Sequence, residues 1–431
     1  MNNSLPLGWS VAKLSEIADV VSGGTPSRDV AEFWTPADVN WVTPTDITRN
    51  SKRVLSESSE KISFKGLRNS SAKTLPVGTI LMTSRATLGE MKVSEVECCT
   101  NQGFKSLIVK PSTDKWFVFY QMKRKKPCYE KLGIGSTFLE VNKKDTDNFE
   151  IELPQFLQQQ KIAKILITVD NLIDQTQSLI DKYTAVKQGM MADLFSRGID
   201  LSGTPETNQN YGQLRPSSEE APELYQETEL GWVPKDWDVE PLGKFLSLIT
   251  YGFTNPMPET DDGPWMITAA NVKNGEIDYK NTRHTSLDAF NTLLTQKSKP
   301  KVDDILLTKD GTLGRLALVD NEMACINQSV ALLRCNDKVK PQFLKLLLET
   351  EKYYQKMLDD AGGSTIKHIY ITIVDKMLIG LPSNPKEQYA IYRKASAIID
   401  RINVEKKYLE KLKLKKNGLM QDLLTGKVSV I

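Results

Sequence analysis

The sequence predicts an α+β protein: two similar mixed α/β domains separated by two long antiparallel coiled-coil helices, arranged as a pseudo-twofold internal repeat. Three observations predict this fold class. Motifs of the first half recur in the same order in the second half. Each half begins with short β-type runs punctuated by turn residues, and each half ends in a heptad stripe of apolar residues.

The repeat spans whole domains. Residues 5–14 recur as residues 233–242, so that Trp9 corresponds to Trp237. Residues 83–89 correspond to residues 308–314, and residues 153–154 correspond to residues 381–382. The offset stays between 224 and 230 residues, far longer than the 20–50 residues of a solenoid unit. Two copies of one domain suggest a target with two parts.

The first domain is predicted over residues 1–155 and the second over residues 231–383. Apolar β-type runs at 80–83, 106–109 and 149–153 recur at 304–307 and 330–333. Turn residues at 23–26 and 76–78 separate them, and helix-like stretches cover 115–125 and 341–359. Both domains are therefore expected to mix short strands with helices.

A central helix is predicted over 156–197 and a distal helix over 384–426. Their heptad stripes supply the predicted pairing residues: Ile162, Ile165, Val169, Leu172, Leu179 and Val186 in the central helix, and Ile398, Ile402, Leu409, Leu412 and Leu419 in the distal one. A single helix cannot bury its own stripe, so the two are expected to pair with each other. Antiparallel pairing would put the two domains at opposite ends. Residues 162–194 would span about 50 Å as a helix.

Residues 198–230 are rich in Ser, Thr, Pro, Glu and Gln, and predict a linker long enough to reverse the direction of the chain. Gly198 and Gly426 stand where C-caps of the two helices are expected.

Composition is that of an ordinary soluble protein of 431 residues, with 40% apolar and 26% charged residues and a net charge of +2. No apolar run is long enough for a membrane span, no signal peptide opens the chain, and the five cysteines lack metal-ligand spacing. These features predict a cytoplasmic protein with reduced thiols.

No catalytic or cofactor motif is present. His284 and His368 stand alone, which favours ordinary surface or core positions over metal ligation. There is no phosphate-binding loop, no dinucleotide fingerprint and no Asn/Asp-Pro-Pro-aromatic tetrapeptide of an amino-methylating enzyme. The chain is therefore expected to perform no chemistry alone and to hold no metal.

The two copies differ at their probable loop tips. Residues 84–86 (Ser-Arg-Ala) become 309–311 (Lys-Asp-Gly), and Glu90 becomes Arg315. A shared scaffold with altered tips would suit two readers of different DNA sequences, since Arg suits guanine and Asn or Gln suits adenine. Ordinary turn chemistry remains an alternative for each single residue. The candidate DNA-binding residues are Thr25, Thr45, Ser84, Arg85, Thr87, Asn101, Gln102, Lys105, Ser136 and Thr137 in the first copy, and Tyr251, Asn271, Lys309, Asp310, Thr312, Arg315, Asn327, Gln328, Ser364, Thr365 and Lys367 in the second.

Taken together, these motifs resemble the DNA specificity (S) subunit of type I restriction-modification systems. The resemblance covers essentially the whole chain. It rests on residues 7–9 with 23–26, 153–154 with 160–163, the phrase at 229–237 and the closing stretch at 416–427. Residues 251–256 match the Gly-Gly-Thr-Pro phrase less well, and residues 155–160 lack the glutamate that Glu387 supplies in the second copy.

The resemblance implies two target-recognition domains that each read one half of a bipartite, asymmetric site on double-stranded DNA. It implies that the helices set the spacer and dock two modification (methyltransferase) subunits, joined by restriction (translocase and endonuclease) subunits. S-adenosylmethionine, ATP and Mg would belong to those partners and not to this chain. Two rival interpretations are a coiled-coil protein-interaction scaffold and a fused restriction-methylation enzyme.

Overall fold

A computed structural model of the protein describes residues 5–135, 139–362 and 367–430. The chain forms two compact units: unit 1 comprises Met1–Ile180 and Glu405–Ile431, and unit 2 comprises Asp181–Val404. Each unit therefore contains one globular region and a segment of both long helices. The predicted domain boundaries stay a prediction.

Unit 1 mixes short strands with helices. Its strands are β1 (Ser10–Lys13), β2 (Ala18–Ser22), β3 (Val39–Val42), β4 (Val54–Leu55), β5 (Glu60–Ile62), β6 (Ile80–Met82), β7 (Met91–Ser94), β8 (Cys98–Thr100), β9 (Lys105–Val109) and β10 (Glu150–Leu153). Its helices are α1 (Leu14–Ile17), α2 (Pro44–Thr48), α3 (Phe64–Arg68), α4 (Lys115–Glu130), α5 (Lys143–Asp147) and the first part of α6 (Phe156–Arg197).

Unit 2 has a similar content. Its strands are β11 (Tyr225–Thr228), β12 (Gly231–Pro234), β13 (Trp237–Pro241), β14 (Leu246–Tyr251), β15 (Thr260–Ile267), β16 (Val272–Lys273), β17 (Glu276–Ile277), β18 (Arg283–His284), β19 (Ile305–Thr308), β20 (Leu316–Leu318), β21 (Ala324–Ile326), β22 (Val330–Cys335) and β23 (Leu378–Pro382). Its helices are α7 (Leu287–Leu293), α8 (Pro341–Leu348), α9 (Glu351–Asp359), α10 (Ile371–Lys376) and the first part of α11 (Pro385–Leu423). The helix predicted over 341–359 is thus broken between α8 and α9.

Sheet topology repeats from one unit to the other. In unit 1 the largest sheet has the order β2-β9-β6-β7-β4, and a second sheet has the order β5-β3-β8. In unit 2 the corresponding orders are β14-β22-β19-β20 and β18-β15-β21. A parallel pair of the smaller sheet recurs as well, with Trp41 opposite Cys99 and Met266 opposite Cys325. The predicted fold class, an internal repeat of a mixed α/β unit, is confirmed.

Both long helices pair within each unit, and they run antiparallel. In unit 1 the amine of Lys416 lies 2.6 Å from the carboxylate of Asp170, while Ile162 shares a core with Leu423. In unit 2 Met191 and Leu194 share a core with Ile391 and Ala395. Residue numbers rise along one helix as they fall along the other, which is the antiparallel arrangement that the sequence predicts.

The seam of α6 differs from the predicted one along one of its two lines. Ile162 and Val169 are buried, as the heptad predicts, but the second line passes through Leu166 and Ile180 instead of the predicted residues. Leu172 and Val186 are 38% and 45% exposed, while Ile165 and Leu179 are half-buried. At 165–166 and at 179–180 two neighbouring residues are both apolar, so the sequence allows either residue of each pair to lie in the seam. Packing buries the second residue of each pair.

The seam of α11 follows the predicted positions. Ile402, Leu409 and Leu412 are buried, and Ile398 and Leu419 are half-buried. Two polar residues interrupt the stripe. Glu405 is buried, and Lys416 forms an ion pair with Asp170. The carboxylate of Asp170 also accepts a hydrogen bond from the hydroxyl of Tyr120 at 2.6 Å. A residue of α4 and both long helices therefore meet at one buried carboxylate.

The segment 198–230 is not an extended tether, because it folds onto unit 2. Ile199 is fully buried, and β11 pairs with β12 in a hairpin. Arg215 donates to both carboxylate oxygens of Glu387, which also accepts from the indole of Trp237 at 3.1 Å and from the backbone N–H of Ile199 at 3.0 Å. One side chain at the start of α11 thus holds the segment that follows α6.

Gly198 makes this closure possible. Its φ of 69° is a left-handed conformation that favours glycine, and a Cβ at this position would overlap Glu387 and Trp237.

Candidate nucleic-acid interface

Each unit presents a first loop, residues 83–90 in unit 1 and 308–315 in unit 2, between two strands of its largest sheet. Thr83 and Thr308 hold these loops in the same way. The hydroxyl of Thr83 accepts from the backbone N–H of Glu90 at 3.0 Å, and the hydroxyl of Thr308 accepts from that of Arg315 at 2.9 Å. The two loops therefore have one backbone scaffold and different side chains at the tip.

An Asn-Gln pair stands beside each first loop. The amide oxygen of Asn101 accepts from the backbone N–H of Gly103 at 2.9 Å, and that of Asn327 accepts from Ser329 at 3.1 Å. These bonds use the asparagine oxygen to hold a turn, as the alternative of turn chemistry proposes. Gln102 and Gln328 are exposed, and Gln102 is hydrogen-bonded to the hydroxyl of Thr25.

In unit 1 a carboxylate on a second loop, residues 139–141, faces the first loop. The oxygens of Glu140 lie 3.2 Å from Nε of Arg85 and 3.6 Å from Nζ of Lys105. The Lys105 amine also donates to the hydroxyl of Ser84 at 3.2 Å. Burial lowers the pKa of Lys105, although the Glu140 carboxylate opposes that shift.

In unit 2 the carboxylate belongs to the first loop. Asp310 is paired with Nδ1 of His368 at 2.5 Å and with Nζ of Lys309 at 3.0 Å. The Lys309 amine lies 5.6 Å from the centre of the Tyr251 ring, within the range of a cation–π contact. Burial opposes ionisation of Asp310, but hydrogen bonds from His368 and Lys309 hold its pKa below the ordinary value.

Three predicted contact residues are buried within their own domains. Ser84 and Lys105 hold the first loop of unit 1, and Asn271 accepts from the Thr268 backbone at 2.9 Å while donating to Asn281 O at 3.0 Å. These side chains support the loops but do not form their surface, because their polar atoms are used internally. The repeat in sequence could not separate a supporting polar residue from an exposed one.

The other predicted residues divide by exposure. Asn101, Lys309, Asp310 and Asn327 are half-buried. The exposed ones are Thr25, Thr45, Arg85, Thr87, Gln102, Tyr251, Thr312, Arg315, Gln328 and Lys367. Ser136, Thr137, Ser364 and Thr365 lie outside the described residues.

Sequence reasoning missed Arg28, Glu140 and His368. The guanidinium of Arg28 lies 3.7 Å from the centre of the Trp34 ring and 2.7 Å from Glu60, on the exposed loop that carries Thr25. No spacing rule links these residues. His368 follows the repeated Gly-Ser-Thr phrase by a few residues, and that position was the available signal.

Within residues 5–135, 139–362 and 367–430, no group of three or more His, Cys, Asp or Glu side chains is arranged to hold a metal ion. In the same part of the chain, no helix has the length and apolar character needed to cross a membrane.

Comparison with known proteins identifies relatives along the whole chain. The MjaIX type I restriction enzyme specificity subunit of Methanocaldococcus jannaschii is 24% identical over 441 residues, which cover 99% of this chain and 95% of that protein. The MjaVIII specificity subunit of the same organism is 26% identical over 327 residues, 74% of this chain and 71% of that protein.

Solved structures share the fold. The type I restriction-modification S subunit from M. genitalium superposes with a TM-score of 0.61 at 15% identity, covering 98% of this chain and 97% of that one. A chain from a study of complex assembly and conformational transition of the type I R-M system superposes with a TM-score of 0.52 at 16% identity, covering 99% of this chain and 100% of that one.

The fold is thus that of the type I S subunits. A model of the type I restriction modification DNA specificity domain matches residues 6–183 and again residues 252–414. The chain belongs to this family.

Proposed function

We propose that the chain is the non-catalytic DNA-recognition subunit of a type I restriction-modification complex. The observation that carries the proposal is the pair of first loops. They share one backbone scaffold, yet the tip of one bears Arg85 and the tip of the other bears Lys309 and Asp310. Two readers of different half-sites need this combination of a common frame and different polar tips.

The partners follow from the family. Two modification subunits would dock on the paired helices and supply S-adenosylmethionine for adenine methylation, and restriction subunits would supply ATP-driven translocation and cleavage with Mg. The helices would set the spacer between the half-sites of double-stranded DNA. Nothing in this chain would take part in bond making or breaking.

The test uses the full chain assembled with its modification subunits. Mapping methylated adenines in the host genome would first give both half-sites and the spacer. The assembled complex should then prefer the mapped site over a scrambled duplex by about a thousandfold or more. A complex that neutralises about six phosphates should also lose roughly a thousandfold in affinity between about 50 and 200 mM salt.

Three outcomes would contradict the proposal. Equal binding of every duplex by the assembled complex would remove the specificity role. Absence of salt-dependent DNA retention would favour a scaffold that binds protein only, and methylation by the chain without partners would favour a fused enzyme.

A further inference from the structure

The second loop, residues 139–141 in unit 1 and residues 367–369 in unit 2, lies against the first loop at equivalent positions in the two units. In unit 1 the backbone N–H of Val141 donates to the carbonyl of Ser84 at 2.9 Å. In unit 2 the backbone N–H of Ile369 donates to the carbonyl of Lys309 at 3.0 Å. These matching bonds place Glu140 opposite Arg85 and His368 opposite Asp310.

The pair across the two loops has opposite polarity in the two units. In unit 1 the cation is on the first loop and the carboxylate is on the second, whereas in unit 2 the carboxylate of Asp310 is on the first loop and the imidazole of His368 is on the second.

A lysine also changes position. The Lys105 amine reaches Glu140 from strand β9 in unit 1, where unit 2 has Ala331, and Lys309 reaches Asp310 from the position that Ser84 occupies in unit 1. Each unit therefore keeps one carboxylate between two basic side chains, although the residues and their positions differ. Inheritance of turn residues from a common ancestor does not explain an arrangement rebuilt from different side chains.

We infer that Glu140 and His368 are positioning residues that hold the first loop of their own unit for contact with DNA, and that the histidine makes recognition by unit 2 alone depend on pH. The inference rests on the proposed function. In unit 1 the partners of Glu140 are Lys105 and Arg85, and the guanidinium of Arg85 is always charged. In unit 2 one of the two partners is a histidine.

The direction of the pH dependence follows from the charged groups around His368. Histidine side chains change charge between about pH 5 and 8. The charged groups around His368 are Asp310, in direct contact, and Lys309, which pairs with the same carboxylate, while Lys367 beside it is exposed. Protonated His368 bonds Asp310 as an ion pair and adds positive charge near the predicted DNA surface. Both effects are present at low pH and are lost as pH rises.

The experiment measures binding of the assembled complex to its mapped site at pH 6.0 and pH 8.5 at constant ionic strength. The affinity of the unsubstituted complex should fall by about threefold to fivefold more than that of a His368→Gln complex, the range expected from one partly exposed ion pair. His368→Arg keeps the charge and should bind tightly at both pH values. Scrambling the half-site read by unit 2 should abolish the difference.

Matched controls use the other histidine and the other unit. His284 contacts Gly263 O at 2.6 Å and the Trp265 ring, so His284→Gln should retain the full pH dependence. Glu140→Gln should weaken binding equally at both pH values, through the half-site read by unit 1. Equal pH dependence in the unsubstituted and His368→Gln complexes would overturn the inference while site preference persists. Loss of site preference at every pH would instead count against the proposed function.

Discussion

A single polar side chain organises an equivalent turn in each unit. Asp46 is buried in unit 1 and accepts four hydrogen bonds, from the backbone and hydroxyl groups of Thr43 and of Ser59, at 2.6 to 2.9 Å. Asn271 caps the corresponding turn of unit 2 through Thr268. The equivalent turn is thus capped by a charged side chain in unit 1 and by a neutral side chain in unit 2.

The charge on Asp46 predicts an acid-sensitive contribution to stability. Burial opposes its ionisation, but the bonds from Ser59 and Thr43 outweigh burial and lower the pKa of Asp46. A carboxyl group whose pKa is lowered by folding contributes stability that is complete above about pH 5 and is lost as pH falls through the folded pKa. Asp46→Asn should cost about 2 kcal/mol at pH 7, because its amide would face the Ser59 donors.

Urea unfolding at pH 7, 5 and 3.5 checks this prediction. The difference between Asp46→Asn and the unsubstituted protein should shrink as pH falls. Asp19→Asn, at an exposed position, should stay within about 0.5 kcal/mol throughout. A difference that is constant with pH would show that the charge of Asp46 contributes nothing.

Glu387→Gln, a one-atom change, is expected to lower the free energy of unfolding substantially. Glu387→Gln would leave the buried Arg215 guanidinium with the exposed carboxylate of Asp236 as its ionic partner, at a cost of about 2 kcal/mol. Glu410→Gln on the same helix removes an exposed partner of Lys413 and should cost less than about 0.5 kcal/mol. Thermal unfolding of the two variants compares them directly, and equal melting temperatures would contradict the role assigned to Glu387.

At the scale of elements, the two long helices differ in how far sequence determines their seams. In α11 polar or charged residues flank both Ile402 and Leu412, so burial of these two residues follows the heptad, whereas Ile398 and Leu419 each stand beside another apolar residue and are half-buried. In α6 adjacent apolar residues allow two spacings, and only the partner surface selects between them. Helical periodicity fixes which residues share a face but leaves the neighbouring residue available when both are apolar.

Matched leucine truncations test the α6 seam. Leu166→Ala should cost about 3 kcal/mol, because Leu166 is fully buried and its removal leaves a cavity. Leu172→Ala removes the same atoms from a partly exposed position and should cost less than about 1 kcal/mol. Chemical unfolding of both variants provides the measurement, and a larger loss at Leu172 would restore the spacing first predicted from the heptad.

At the scale of the whole molecule, the proposed function makes helix length a determinant of spacer length. Removing one heptad from each helix, residues 174–180 and 405–411, shortens both by about 10 Å while keeping the antiparallel register. The assembled complex should then recognise the same half-sites with a spacer about three base pairs shorter. Methylation mapping in cells gives both quantities. Removal from one helix only should disrupt assembly. An unchanged spacer in the double deletion would contradict the proposed role of the helices in setting the spacer length.

The internal repeat, the fold class and the existence of both helices were determined by the sequence itself, because turn residues and apolar periodicity are local properties of the chain. The sequence also revealed that Glu387 has no counterpart in the first half. Only the tertiary structure explained it, by bringing Arg215, Trp237 and Ile199 to one carboxylate.

The same distinction applies to the first loops. Sequence comparison found their tips, but it could not tell the buried Lys105 from the exposed Arg85, nor pair Asp310 with His368. Burial and charge pairing depend on which distant segments fold together, and those contacts lie between residues separated by many positions in the chain.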